Sequence, residues 1–126
     1  MEKQLIYPEL SYRIVGCLFE VYKKLGSNRR ENIYHNALKQ EFQNKNIAFK
    51  NQYYIPVKYL GSQIGRSYVD FLVENKIILE LKIGQFFHKQ NLNQTLDYLK
   101  TTGLKLGILA NFTRDGVKFY RVLNIR

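Results

Sequence analysis

Three charged residues, Asp70, Glu80 and Lys82, lie in segments that otherwise have the apolar character of buried strands. Glu80 and Lys82 belong to the run ILELK at 78–82, and an extended chain points residues two apart toward the same side. Charges are costly to bury unless they are paired or bound to a metal. Two carboxylates and a lysine can hold a divalent cation and can orient or activate water near a phosphorus centre.

The register of two predicted strands, 67–73 and 77–83, decides whether these side chains converge. If residues 74–76 form a three-residue loop, Asp70 stands directly opposite Glu80, within about 5 Å, and a divalent cation would remove the repulsion between them. A two-residue loop would instead turn Asp70 to the other side of the sheet.

Two simpler interpretations of the same residues stay open. A slip that pairs Asp70 with Lys82 would give an ordinary cross-strand ion pair. A solvated sheet face with mixed charge would also produce this loose spacing. Strict strand alternation places Tyr68, Asp70 and Leu72 on one face, whichever way that face points.

Apolar periodicity predicts the elements that carry these residues. Their order is αα βββ α ββ, which we interpret as one α/β domain over residues 1–126 with a mixed sheet. Pro56 indicates an edge or irregular position for the first strand. The predicted segments are helices at about 8–25 and 30–45, strands at 49–59, 67–73 and 77–83, a helix that ends before Gly103, and strands at 104–110 and 117–123. The second helix is predicted to share one apolar face among Ile33, Tyr34, Ala37, Leu38 and Phe42.

The composition predicts a globular chain that associates with polyanions. The 126 residues include 20 Lys and Arg against 10 Asp and Glu, and the net charge of +10 favours nucleic acid as a partner. The alternative is a basic protein whose lysines simply face water. A single cysteine, Cys17, allows no internal disulfide and no cysteine-based zinc site, and no apolar run is long enough for a membrane span. Because the single cysteine allows no internal disulfide, we expect a reducing cytoplasm, and the first ten residues lack the apolar core of a signal peptide.

The string Asp70…Glu80-Leu81-Lys82 resembles the signature of the PD-(D/E)XK nuclease superfamily, although Val69 stands where that signature has proline. More specifically, the chain is similar to the GxxExxY family within it. Glu31-Asn32-Ile33-Tyr34 supplies ExxY, whereas Gly26 lies five residues before Glu31 instead of three. The flanking blocks that match in the same order are residues 20–26, Ala37-Leu38, residues 69–73, residues 94–100 and Asn111-Phe112.

This resemblance implies a restriction-endonuclease-like fold, in which helices flank a mixed central sheet. It also implies that Asp70 and Glu80 bind Mg²⁺ or Mn²⁺ with help from the backbone carbonyl of Leu81, and that Lys82 positions the attacking water. Glu31 would match the upstream acidic residue that acts on the metal through a bound water. A glutamate in the first turn of a helix also complements the helix dipole, which is the alternative role for Glu31.

Gln94 and Tyr98 form a Q-x-x-x-Y pattern on the helix that follows the ExK motif. Residues four apart lie on one helical face, so both side chains could face the acidic cluster. The pattern resembles that of RecB-like nucleases, where it supports the active site and the DNA. In the alternative interpretation, Tyr98 packs in the core and Gln94 is solvated.

The expected function is a metal-dependent nuclease that hydrolyses phosphodiester bonds in DNA. The alternative is a catalytically weak or inactive nucleic-acid-binding module, or a subunit of a larger DNA-processing or defence system. No interface signature decides between a monomer and a homodimer.

Overall fold

A computed structural model describes residues 6–125 of the chain. Within this range the elements follow the predicted order αα βββ α ββ, which is confirmed. No helix within residues 6–125 has the length and apolar composition of a membrane span. The elements are α1 (Pro8–Leu25), α2 (Glu31–Asn44), β1 (Phe49–Tyr59), β2 (Ser62–Val73), β3 (Ile77–Ile83), α3 (Lys89–Thr102), β4 (Leu106–Thr113) and β5 (Gly116–Leu123).

The five strands form one mixed sheet, as predicted, and their order in it is β1-β2-β3-β4-β5. All neighbours are antiparallel except β3 and β4, which are parallel and are connected through α3. Helices α1 and α2 pack on one face of the sheet, around Phe71, Leu79 and Ile108. Helix α3 packs on the other face, around Leu72 and Ile78. Since β1 is an edge strand, the interpretation of its proline is also confirmed.

Two glycines fix the position of α3. Gly103 ends the helix in the left-handed conformation with φ of 78°, and its N–H donates to the carbonyl of Leu99 at 2.8 Å. Gly107 on β4 faces the helix so closely that a Cβ atom there would lie 2.7 Å from Thr95 Cγ2. Helix α3 therefore lies tight against the sheet, and Tyr98 on this helix is buried in the same cluster as Ile78 of β3.

Two predicted strand boundaries are wrong. Strand β2 begins at Ser62 instead of residue 67, because the polar segment 62–66 pairs with β1 although it lacks apolar alternation. Strand β4 covers 106–113 instead of 104–110, because Asn111 and Thr113 continue the pairing with β5. In both cases cross-strand hydrogen bonding extends the strand into residues whose side chains give no strand signal.

The predicted core face of α2 is wrong at one position. Ile33 is 41% exposed, whereas Tyr34, His35, Leu38 and Phe42 are buried. The ring of His35 stacks on Phe71 with the ring centroids 4.3 Å apart. A helical pattern based on apolar residues alone includes Ile33 and omits His35, although His35 lies on the buried side of the helix.

Candidate active site

The turn between β2 and β3 sets the register of the candidate site. It is a three-residue loop, since Val73 pairs with Ile77 and the pairing continues to Phe71 opposite Leu79. Glu74 and Asn75 both adopt left-handed φ angles, of 53° and 57°, which close the turn. The next position in this register places Asp70 opposite Glu80 and excludes a slip that pairs Asp70 with Lys82.

The carboxyls of Asp70 and Glu80 are interlocked between the two strands. The backbone N–H of Asp70 donates to Glu80 Oε1 at 2.9 Å, and the N–H of Leu81 donates to Asp70 Oδ2 at 2.7 Å. Backbone pairing between β2 and β3 stops one residue earlier, so the side chains occupy the place of ladder bonds. Each carboxyl is therefore held by the opposite strand through one oxygen, and within residues 6–125 Asp70 Oδ1 and Glu80 Oε2 receive no such backbone bond.

A distortion of the β1–β2 pair accompanies this arrangement. Gln52 lies opposite Asp70 in the register, has a left-handed φ of 52°, and is skipped in the pairing that resumes on both sides. Val69 and Leu72 both pack in the cluster under α3, which regular alternation forbids. The prediction that Tyr68, Asp70 and Leu72 share a face is therefore wrong for Tyr68, which is half-exposed and points away from α3.

Glu80 is the most strongly perturbed ionisable group of the site. Its side chain is buried, and burial together with the negative charge of Asp70 raises its pKa from an ordinary 4.5 to about 8. The positive charge of Lys82 opposes this rise only in part. Without a cation between them, the charge of Asp70 therefore disfavours the ionised form of Glu80.

Glu31 and Lys82 lie beside this pair. Glu31 begins α2, and burial and then the charge of Asp70 raise the pKa of its carboxyl, while Lys82 acts in the opposite direction. Although the residue as a whole is exposed, its partly buried carboxyl lies close enough to Asp70 and Lys82 for both charges to act on it. The structure thus brings Glu31 to the acidic pair, with Lys82 as the neighbouring positive charge.

Tyr98 and Gln94 are placed differently, although they share one face of α3. Tyr98 is buried next to Glu80, and burial followed by the charge of Glu80 raises the pKa of its hydroxyl. Gln94 is solvent-exposed and lines, with Tyr98 and Ser67, a cleft of about 400 Å³ between α3 and the β1–β2 pair. The tyrosine hydroxyl lies within range of the charge of Glu80, whereas the glutamine lines the cleft at the surface.

His35 is a site residue that sequence reasoning missed. It lies one turn after Glu31 on α2, and its Nδ1 atom is 3.9 Å from Asp70 Oδ1. Burial lowers the pKa of its ring, and its buried Nε2 atom has no hydrogen-bond partner among residues 6–125. The i, i+4 spacing from Glu31 was the available signal, because both residues then point at the same strand.

We expect His35→Phe to impair the site without destabilising the fold. Phenylalanine keeps the stack on Phe71 and removes a buried unpaired nitrogen, whose burial costs about 1–3 kcal/mol. Loss of a group that orients a metal-binding carboxylate lowers metal affinity or activity by about 10- to 100-fold. Thermal melting with and without Mn²⁺ checks both parts, with His88→Phe as the control at an exposed position. A lower melting temperature with an unchanged Mn²⁺ midpoint would show that His35 serves packing alone.

The donor set at this site fits a particular class of metal ion. Among the described residues, no three His, Cys, Asp or Glu side chains converge closely enough to hold a metal by themselves. Zinc sites need three or four such protein ligands. Mg²⁺ and Mn²⁺ accept one or two carboxylates and complete their coordination with water and phosphate oxygens. Asp70 and Glu80 therefore fit Mg²⁺ or Mn²⁺ and do not fit a zinc cage.

Comparison with known proteins identifies both a family and a fold. The sequence model of a family described as the PD-(D/E)XK nuclease superfamily matches residues 8–122. No curated protein matches this chain. The five-strand mixed sheet and its flanking helices agree with the restriction-endonuclease-like fold that the resemblance implied.

Two solved structures share this fold. The crystal structure of SSO0001 has a TM-score of 0.60 and 17% identity, and the match covers 95% of this chain and 61% of that one. An alkaline exonuclease (LHK-Exo) from Laribacter hongkongensis has a TM-score of 0.55 and 10% identity, and the match covers 98% of this chain and 73% of that one. At these identities the likeness concerns the fold alone.

Proposed function

The chain belongs to the PD-(D/E)XK nuclease superfamily, and we propose that it is a metal-dependent nuclease that hydrolyses the phosphodiester bonds of DNA. The interlocked carboxyls of Asp70 and Glu80 are the observation that carries this proposal. A sheet that merely displayed mixed charge in solvent would not hold two like charges against each other in a buried gap. A divalent cation bound between the two carboxylates, together with a substrate phosphate, would offset the repulsion between them.

Mg²⁺ or Mn²⁺ is the cofactor that we propose for this site. Asp70, Glu80 and the carbonyl of Leu81 would hold it, and Glu31 would act through a bound water. When bound, the ion supplies positive charge to a phosphate oxygen and lowers the pKa of a coordinated water. The raised pKa of Glu80 supports a cation as the missing partner, because a positive charge is what restores the ionised form.

The chain's own groups have separate roles in the proposed reaction. The ammonium group of Lys82 donates a hydrogen bond to the attacking water and offsets the charge that develops on the phosphate. The carboxylate of Glu31 accepts a hydrogen bond from water at the same site. Tyr98 excludes solvent from the α3 side of Glu80, and Gln94 contacts the nucleic acid in the adjacent cleft.

We also propose that the chain belongs to the GxxExxY branch of the superfamily. Its Gly26 is displaced from the spacing of that name, but the hydroxyl of Tyr34 donates to the carbonyl of Gly26 at 2.7 Å. This bond ties the turn before α2 to the first turn of that helix, where Glu31 lies. The three residues therefore form one structural unit in spite of the altered spacing.

Charge supports DNA as the substrate. The net charge of +10 supplies attraction to phosphates that does not depend on sequence, and such binding weakens steeply with added salt. Phosphate contacts position a protein on the duplex but carry no sequence information. We therefore propose that the affinity of the nuclease for DNA comes mainly from contacts with the phosphate backbone. We propose separately that the nuclease acts in the cytoplasm and that residues 1–126 act as a single domain.

Divalent ions should raise the melting temperature of the protein and switch on cleavage. An ion that binds only the folded form at 100 times its Kd stabilises it by about 2.7 kcal/mol, which is about 10 °C for a chain of this size. Melting is followed in EDTA, Mg²⁺ and Mn²⁺, and labelled DNA is then incubated under the same conditions. Asp70→Asn should lose both responses, whereas Asp115→Asn in the exposed β4–β5 turn should keep both.

The two readouts separate the proposal from its alternative. Salt-sensitive binding of DNA without cleavage in either metal would identify a binding module and would overturn the nuclease proposal. Cleavage that persists in Asp70→Asn would point to a contaminating enzyme. If no divalent ion changed the melting temperature, the proposal that Asp70 and Glu80 bind a metal ion would be contradicted.

A further inference from the structure

The β1–β2 hairpin extends past the rest of the sheet beside the candidate active site. The two strands pair as far as Tyr59 opposite Ser62, while the pairing of β2 with β3 stops at Phe71. Residues 53–68 therefore form a two-stranded ribbon, and its base is the distorted position at Gln52 and Asp70. Any strand of nucleic acid that leaves the carboxyls along this side must pass the ribbon.

The ribbon exposes a pair of tyrosines close to the carboxyls. Tyr54 and Tyr68 are cross-strand partners, 41% and 49% exposed, with ring centroids 5.7 Å apart and ring planes at 55°. Tyr68 is two residues from Asp70, about 7 Å along the strand. Because the rings are tilted and not stacked on each other, their faces stay open to a third ring.

The two rings do not belong to the core. Their neighbours Ile55 and Val69 pack under α3, so both tyrosines point to the opposite side of the ribbon. The Gln63 side-chain amide donates to the Tyr54 hydroxyl at 2.6 Å, which fixes the orientation of that ring. Stabilising the hairpin does not require the rings of Tyr54 and Tyr68 to be both exposed and held in a fixed orientation, so this exposure indicates a binding role.

The charge around the pair matches a polyanion. The segment 49–69 contains Lys50, Lys58 and Arg66 and no acidic residue. Arg66 is two residues beyond Tyr68 and therefore on the same face of β2. Aromatic faces alternating with cations form the surface that binds single-stranded nucleic acid, since bases stack on the rings while phosphates meet the cations.

We propose that Tyr54 and Tyr68 form a stacking platform for the bases of an unpaired nucleic-acid segment that leads into the active site. This inference rests on the proposed nuclease function and adds a substrate class to it: single strands, or the unpaired parts of branched DNA. A duplex keeps its bases stacked on one another and cannot use the platform, so it binds through charge alone.

Binding measured without cleavage tests the platform. Fluorescence anisotropy in EDTA compares a labelled 12-nucleotide single strand with a duplex of the same length. The double variant Tyr54→Leu/Tyr68→Leu should lose about 5- to 100-fold in affinity for the single strand and less than about twofold for the duplex. Tyr54→Phe/Tyr68→Phe should retain the affinity, because stacking needs the ring and not the hydroxyl. Tyr12→Leu, at a tyrosine on α1 that is 80% exposed, is the control.

Each alternative result has a definite meaning. Unchanged single-strand affinity in the leucine variant, or an equal loss on both substrates, overturns the platform. If the double variant melts at a much lower temperature, Tyr68→Leu alone is compared with Tyr68→Phe by the same assay. Selective loss of single-strand binding in a protein that cuts nothing in any metal supports the platform and refutes the nuclease, so the two failures are distinguishable.

Discussion

Lys82→Ala should slow DNA cleavage by about 10³-fold while the protein keeps its fold and its response to metal. Lys82 is two residues beyond Glu80 on β3, half-buried, and its charge acts on the carboxyls of both Glu80 and Glu31. A group that activates water or stabilises developing charge typically contributes 10²–10⁴-fold. Since this contribution arises in the transition state, kcat should fall and KM should change by less than about threefold. Steady-state cleavage of labelled DNA in Mg²⁺ or Mn²⁺ provides the measurement.

Two further variants make this result specific. Lys105→Ala removes a lysine that precedes β4, at the opposite end of the sheet from Lys82, and should cleave at the normal rate. Lys82→Arg keeps the charge but replaces a compact ammonium by a planar fork, so it should recover little activity. If Lys82→Ala and Lys105→Ala slowed cleavage equally, Lys82 would serve only the general electrostatic attraction of DNA and not the reaction itself.

The sequence predicts the elements well because their signals are local. A few neighbouring residues are enough to predict the helices from their periodicity, the end of α3 from Gly103 and the edge position of β1 from Pro56. Each of these features is found in the structure. The order αα βββ α ββ with a parallel β3–β4 pair then follows, because α3 provides the crossover that parallel strands need.

The register of the site depends on information that the sequence does not display. The sequence allowed either a two-residue or a three-residue loop between the second and third strands. The length of this loop decides on which face of the sheet the side chain of Asp70 lies. The structure selects the longer loop through left-handed φ angles at Glu74 and Asn75. Asparagine adopts this conformation readily, but glutamate does so rarely, so residue types alone did not identify the turn.

Two other residues were beyond single-sequence reasoning for a different reason. Gln52 carries no signal for a left-handed residue inside a strand, and it lies at the position opposite Asp70 where the β1–β2 pairing is interrupted. His35 was passed over because an apolar period ignores polar residues on the buried face. Both errors occur beside the acidic pair, where tertiary contacts override local preference.

Glu80→Gln should stabilise the metal-free protein at alkaline pH, although it removes a residue of the site. In the folded protein, burial and then Asp70 raise the pKa of Glu80 to about 8, compared with 4.5 as its ordinary value. Between these two pH values the folded state holds a proton that the unfolded state has released, so the wild-type protein loses stability as pH rises. One pKa unit corresponds to about 1.4 kcal/mol, so this shift implies a loss of about 5 kcal/mol at pH 8.5.

Glutamine has no such proton to lose, and it resembles the protonated carboxyl in shape. In EDTA at pH 8.5, Glu80→Gln should therefore melt at least about 5 °C above the wild type, whereas at pH 4.5 the two proteins should melt together. Glu20→Gln, at a half-buried glutamate on α1, should follow the wild type at every pH.

Adding Mn²⁺ should reverse the order of stability at pH 8.5. The wild-type carboxylate is then stabilised by the cation, and the benefit grows as pH rises toward 8 because the proton must leave first. The glutamine variant lacks the negative charge that binds the ion and should respond weakly. A wild-type protein whose melting temperature in EDTA is flat from pH 5 to 8.5 would show that Glu80 is already ionised without metal. The repulsion between the two carboxyls would then be too weak to require a cation.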